Sequence, residues 1–183
     1  GLDCRYVITH LGYADKVASL TTMSTPHRGS ELVDFLNRLP KPVFLKLTQI
    51  LDRSFAVFGD DCPDSYASAQ QLSPAYCRDF NERTPDAENV LYQSYASVMR
   101  FSFSDSLLFL PHLLLWWITG ERNDGLVTES SAQWGDYQGT LKSKSLRGIS
   151  HGDMIDLKRE DIKGFDSIEV YQRIVEDLKK KGF

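Results

Sequence analysis

Apolar positions along the chain repeat with two different periods, and the switches between them divide it into alternating helices and strands. Over residues 2–11, Leu2, Tyr6, Ile8 and Leu11 stand at mostly helical spacing, and Gly12 is a good terminator. Residues 17–23 read instead as a buried strand, closed by Pro26. After Gly29, Ser30 can cap a short helix through Leu39. Val43, Leu47, Ile50, Leu51, Phe55 and Phe58 then form an apolar stripe at helical spacing. Ser73 before Pro74 is a cap followed by a first-turn proline, which predicts a helix ending near Asn81. Residues 89–98, rich in Val, Tyr and Leu, predict the next strand, and 140–149 a weaker third. Asp166 opens an amphipathic C-terminal helix with Ile168, Tyr171, Ile174, Val175 and Leu178 facing inward. Strands alternating with helices predict an α/β layer fold with a parallel sheet.

Composition narrows the partners. A chain of 183 residues with 42% hydrophobic content sustains one sizeable core, so a single domain is expected. The net charge of −4, with 21 basic and 25 acidic residues, leaves no basic footprint for nucleic acid. The run Lys179-Lys180-Lys181 suits the last turn of a helix, where cations complement the dipole. The longest apolar stretch, 107–118, is broken by Pro111 and His112 and falls short of the roughly 20 residues of a membrane span. A soluble chain without a transmembrane segment is therefore expected. Cys4, Cys62 and Cys77 lack metal-ligand spacing; either Cys62 and Cys77 form a disulfide or all three remain thiols.

One short stretch carries candidate chemistry. In Gly-Glu-Arg-Asn-Asp-Gly-Leu-Val, from Gly120, the Asn-Asp-Gly corner places Asp124 on a tight turn after the 89–98 strand and its following helix. Ser150-His151-Gly152-Asp153 lies just after the third strand. Open α/β sheets keep their working residues on loops beyond the carboxyl ends of strands. A histidine base needs a buried carboxylate on its far ring nitrogen, a relation open to Asp124 and His151. The alternative for Asp124 is an ordinary surface turn.

The segments GLDCRYVITHLG, VASLTTMSTPHRGSELVDFL, QLSPAYCRDFN, NDGLV, SHGD and FDSIEVYQRI, in this order from Gly1 to Phe183, resemble those of the secreted bacterial triacylglycerol lipases of the α/β-hydrolase fold. The resemblance implies that Asp124 is the triad acid and His151 the base. Triads of this fold run Ser, Asp or Glu, His along the chain, and of His10, His27, His112 and His151 only His151 follows Asp124. His27 is then a structural residue bracing its loop. The family's nucleophile elbow, G-x-S-x-G-G, directly precedes the segment matched here by Leu2–Tyr6, and Gly1 matches its last glycine. The expectation is a C-terminal portion of a mostly parallel sheet flanked by helices, one partial domain over 1–183, with the serine upstream. A helical, lid-like insertion is expected at about 40–85, containing the Val43 to Phe58 stripe; that stripe is otherwise plain core. The run 107–118, with Trp116 and Trp117, is expected in the core.

Many relatives of this type hold a structural calcium, which the resemblance places on Asp153 and Asp105, a choice of ligands suited to that ion. A solvated carboxylate pair is the alternative. The family's disulfide partner after NDGLV is replaced by Ser130 or a neighbour, so that bridge is not expected. The implied activity is hydrolysis of acylglycerols by an acyl-enzyme mechanism, at a transient lipid interface, in a secreted protein. Two alternatives remain at this point: a non-catalytic partial chain or pseudoenzyme of the same fold, and an esterase for short soluble esters. A nucleophile inside the chain would fall to Ser24 or Ser30.

Overall fold

The computed structural model describes residues 1–57, 59–100, 105–157 and 159–183; Phe58 of the apolar stripe lies outside them, as does the side chain of Phe55. Three strands, β1 (Ser19–Met23), β2 (Leu91–Ala96) and β3 (Asp136–Thr140), form one parallel sheet in the order β1-β2-β3. Parallel neighbours need a crossover, and the chain makes each one through helices. Between β1 and β2 run α2 (Glu31–Arg38), α3 (Lys41–Val57), α4 (Ser65–Gln71) and α5 (Pro74–Arg83). Between β2 and β3 runs α6 (Phe109–Thr119). The helices α1 (Leu2–His10) and α7 (Ser167–Lys180) open and close the chain.

β2 is the middle strand, and its Tyr92, Gln93, Ser94 and Ala96 are buried, as a strand covered on both faces requires. One core cluster packs Ile8 of α1 against Val90 and Tyr92; a second joins Ala96, Val127 and Ala132. Arg5 is fully buried, its guanidinium 3.6 Å from the centre of the Trp134 ring and its Nη1 donating to Asn81 Oδ1 at 2.7 Å. This cation ties α1 to α5 and to the entry of β3.

Local signals fixed several ends. Ser73 Oγ accepts from Tyr76 N–H, and Asp166 from Ile168 N–H at 2.7 Å, so both caps form as the sequence predicts. Ser30 occupies the cap position of α2, but its hydroxyl donates to Leu126 O at 2.7 Å. It fastens the Asp124 loop instead of capping its own helix.

Three expectations need correction, and two open alternatives are closed. The third strand is at Asp136–Thr140, not 140–149: Ser94 Oγ donates to Trp134 O and accepts from Trp134 N–H, which pins the entry of β3 beside β2. These contacts set the register where the polar sequence of the strand carries no apolar signal. On α7 the buried seam is Ser167, Val170 and Ile174, whereas Ile168, Tyr171 and Val175 are exposed. The run 107–118 is not core: only His112 and Leu115 of α6 are buried, and Trp117 is 72% exposed. The stripe on α3 also points away from the chain, with Ile50 60% exposed while Phe44 and Thr48 turn inward, Phe44 meeting Tyr66 edge-on at 5.1 Å. Plain core is therefore excluded for Val43, Leu47, Ile50 and Leu51. All three cysteines are free thiols, so the Cys62–Cys77 pairing is not made.

Candidate active site

Asp124 is held on its corner by the groups on either side. Helix α6 ends at Gly120 in the left-handed conformation. Asn123 Oδ1 accepts from Gly125 N–H at 3.0 Å and lies 2.8 Å from His112 Nδ1, so α6 itself braces the turn. Gly125 has φ +103, and a Cβ there would come within 2.7 Å of Leu108. Only glycine suits both the conformation and the space. Asn123 bridges Thr128 across the corner.

The carboxylate of Asp124 is 1% exposed and has four donors. Oδ1 accepts from Leu126 N–H at 3.1 Å and Val127 N–H at 2.9 Å. Oδ2 accepts from Ser97 Oγ at 3.3 Å and from His151 Nδ1 at 2.9 Å. Two oxygens with about four lone-pair sites are thus fully engaged, the condition for keeping a buried carboxylate charged. A second tether, His151 N–H to Asp124 O at 2.9 Å, fixes the backbone of the two loops.

The carboxylate can only accept, so Nδ1 of His151 carries the proton and Nε2 of the neutral ring keeps a lone pair. The His151 side chain is 34% exposed, against 1% for that of Asp124. Burial pushes the imidazole down, but the hydrogen bond and charge of Asp124 outweigh it and hold His151 above its ordinary value of 6.5. This is an oriented base with one nitrogen turned away from its carboxylate.

The remaining histidines do other work. His27 is fully buried, lies 2.9 Å from Thr22 Oγ1 and stacks on Trp134; burial and then the Arg5 charge push it down to about 3, so it stays neutral. Its backbone N–H donates to Ser131 O at 3.0 Å, which makes it the loop brace expected. Ser24 is buried with its hydroxyl 2.8 Å from Ser97 Oγ, and Ser30 is spent on Leu126 O. Neither hydroxyl addresses His151. His112, weighed in the sequence only as a rival base, braces the turn through Asn123. Ser97 and Arg147 support the site without having been singled out; a strand-end position just beyond β2 was the available signal for Ser97.

Asp105 and Asp153 do come to the same loop, around Ser150. Ser150 Oγ donates to Asp105 Oδ2 at 3.0 Å, and Ser150 N–H to Asp153 Oδ2 at 2.7 Å. Asp153 is already held by a cation: Arg147 Nη2 lies 2.8 and 2.7 Å from its two oxygens. A calcium ion on Asp153 would have to displace this guanidinium, so the donor set as arranged does not fit the metal.

No protein-family model matches the chain. Triacylglycerol lipase 2 of Saccharomyces cerevisiae is 35% identical over 204 residues, an alignment that takes in 100% of this chain and 55% of the yeast protein. The chain spans about half the length of that curated relative. Among solved structures, the mature lipase BlEst2 of Bacillus licheniformis superposes with a TM-score of 0.55 at 24% identity, covering 77% of this chain and 54% of the lipase. The metagenomic carboxyl esterase MGS0156 gives 0.57 at 16% identity, over 81% and 41%. These structural likenesses carry the fold alone, which is that of the α/β-hydrolases. The similarity to triacylglycerol lipases read in the sequence is borne out by the yeast relative.

Proposed function

We propose that this chain supplies the acid and base of a carboxylic ester hydrolase that acts on acylglycerols in the intact protein. The observation that carries the reading is the buried Asp124 carboxylate bound to His151 Nδ1 at 2.9 Å with Nε2 directed elsewhere. The nucleophile is a serine on the segment N-terminal to Gly1. Gly1 itself abuts the loop after β1, since a Cβ on it would reach within 2.2 Å of Thr25 Oγ1, next to Ser24. The start of α1 is thereby close to the residues that lead to Asp124.

In this mechanism the serine Oγ attacks the ester carbonyl while His151 Nε2 takes its proton, and the carbonyl electrons move to the oxygen. Asp124 stabilises the imidazolium that forms. Collapse breaks the ester C–O bond, His151 returns the proton to the leaving alcohol, and an acyl-enzyme remains. Water, deprotonated by the same nitrogen, then releases the carboxylic acid.

The outward apolar face of α3 supports the further reading that this segment acts as a lid at a lipid surface. A secreted location belongs to the same reading; among the described residues no helix is long and apolar enough to cross a membrane. No step is assigned to calcium.

The test is a fluorophosphonate that labels activated serines, applied to the full-length protein and to the 183-residue chain alone. The expected label is one serine upstream of Gly1 in the former and none in the latter. Labelling of Ser24 or Ser30, or an unlabelled full-length protein, overturns the assignment.

A further inference from the structure

Beyond the acid and base, the Asp124 carboxylate is the terminus of a buried chain of hydroxyls. Ser97 Oγ lies 3.3 Å from Asp124 Oδ2, Ser24 Oγ lies 2.8 Å from Ser97 Oγ, and Ser97 N–H donates back to Ser24 Oγ at 3.1 Å. All three side chains are buried. The proton count fixes the direction. A carboxylate only accepts, so the single proton of Ser97 goes to Asp124; Ser97 Oγ must then accept from Ser24, whose own oxygen accepts the Ser97 amide. Each member has a donor behind it, and such chains polarise one another where water is excluded.

The backbone shows the same demand. Ser24 has φ +49, in the left-handed region that an L side chain adopts at a cost, while its N–H is tied to Tyr95 O at 2.8 Å. Strain at a buried residue persists only where its surroundings impose it. Here the parallel pairing of β1 and β2 brings the two strand ends together, Met23 opposite Tyr95, and the turn at Ser24 aims its hydroxyl at Ser97.

We propose that Ser97, backed by Ser24, is a positioning residue for the hydrolytic reaction: it holds Asp124 Oδ2 so that its remaining lone pair faces His151 Nδ1. The inference rests on the hydrolase reading. Neither serine touches substrate; both act through Asp124. Leu126 and Val127 N–H fix Oδ1, and Ser97 is the fixed donor to Oδ2 besides His151 itself. Without it the oxygen that meets the imidazolium in the transition state is anchored from one side only.

The experiment uses the full-length protein and three variants, Ser97→Ala, Ser97→Thr and Ser24→Gly. Ser97→Ala is expected to lower kcat roughly three- to ten-fold with KM unchanged, since a donor to a charged group is lost where only the transition state needs it. Ser97→Thr, which keeps the hydroxyl, recovers part of the loss. In an Asp124→Asn background Ser97→Ala has no further effect, because the route runs through the carboxylate. The low-field proton resonance of His151 Nδ1–H moves in Ser97→Ala, and moves less in Ser24→Gly. Ser24→Gly also removes the left-handed strain, so its melting midpoint separates strain from relay.

An unchanged kcat and an unmoved resonance in Ser97→Ala overturn the proposal. So does an additive effect in the Asp124→Asn background. If Ser97→Ala fails to fold, Ser24→Gly decides: a resonance and kcat identical to wild type overturn the relay. A wild-type protein that hydrolyses neither short nor long esters refutes the hydrolase reading instead, and the resonance still reports on the hydroxyl chain.

Discussion

Replacing Arg147 by Met should destabilise the intact protein by about 3 kcal/mol, mostly through Asp153, one of two carboxylates it meets among the described residues. Arg147 Nη2 binds both oxygens of Asp153, and Nη1 binds Glu160 Oε2 at 2.7 Å. The two arms look alike in geometry but differ in solvent: the Asp153 side chain is 3% exposed, that of Glu160 49%. An ion pair with an exposed carboxylate contributes about 0–1 kcal/mol, whereas stranding a buried one costs about 3–5 kcal/mol. Ser150 N–H still donates to Asp153 and keeps the loss near the lower end of that range. Methionine retains the length of the arginine stem, so packing changes little. Urea unfolding of the full-length protein reads the loss, with Glu160→Gln as the control expected below about 1 kcal/mol. A double cycle of Arg147→Met with Asp153→Asn should show coupling of about 2 kcal/mol. A loss in Arg147→Met below about 1 kcal/mol, or equal losses in Arg147→Met and Glu160→Gln, would refute the claim that this buried pair anchors the His151 loop.

Hydrolysis should rise with pH through a midpoint above 6.5, because the base works unprotonated and Asp124 holds its titration up; a kcat/KM profile with its acid limb below 6.5 contradicts the pairing. The same raised value adds stability that is complete below 6.5 and fades as pH climbs through the native value, readable as a pH-dependent melting midpoint. A chelator should leave that midpoint in place, since Arg147 occupies the carboxylate a calcium ion would need; a fall of several degrees that calcium reverses would show the ion displacing the guanidinium. Ile50→Ser with Leu51→Ser should weaken hydrolysis of an emulsified long-chain ester by about ten-fold or more and spare a short soluble one. Equal effects on both substrates would remove α3 from the lipid-facing role.

The parts of the fold that sequence revealed are those with local causes. The caps at Ser73 and Asp166 act within one turn, and β1 and β2 are marked by their own apolar residues. The contact of Asp124 with His151 was legible because the NDGLV and SHGD segments resemble those of triacylglycerol lipases and, of the four histidines, only His151 follows Asp124, even though the contact spans 27 positions. β3 was misplaced because its residues are polar and its position is set by Ser94 across the sheet. The helix α6 was misread because apolar composition signals burial, whereas its outer face meets no other described part of the chain closely enough to be covered. Ser97 has only its position at the end of a strand as a signal, and nothing local links it to Ser24; the register of β1 on β2 makes them neighbours. Asp153 was seen, but its partner Arg147, six residues earlier, was not, since a salt bridge inside a loop has no periodicity.

The most direct test of the acid–base assignment is turnover of a short soluble ester by the full-length protein carrying Asp124→Asn. An amide at this position keeps the size of the side chain and still accepts from Leu126 and Val127 N–H through its oxygen, but it presents N–H to Nδ1 and removes the charge that stabilises the imidazolium. The folded variant should lose about three to four orders of magnitude in kcat, with its melting profile still cooperative. Turnover within about three-fold of wild type would contradict the account and return Asp124 to being the residue of a tight turn.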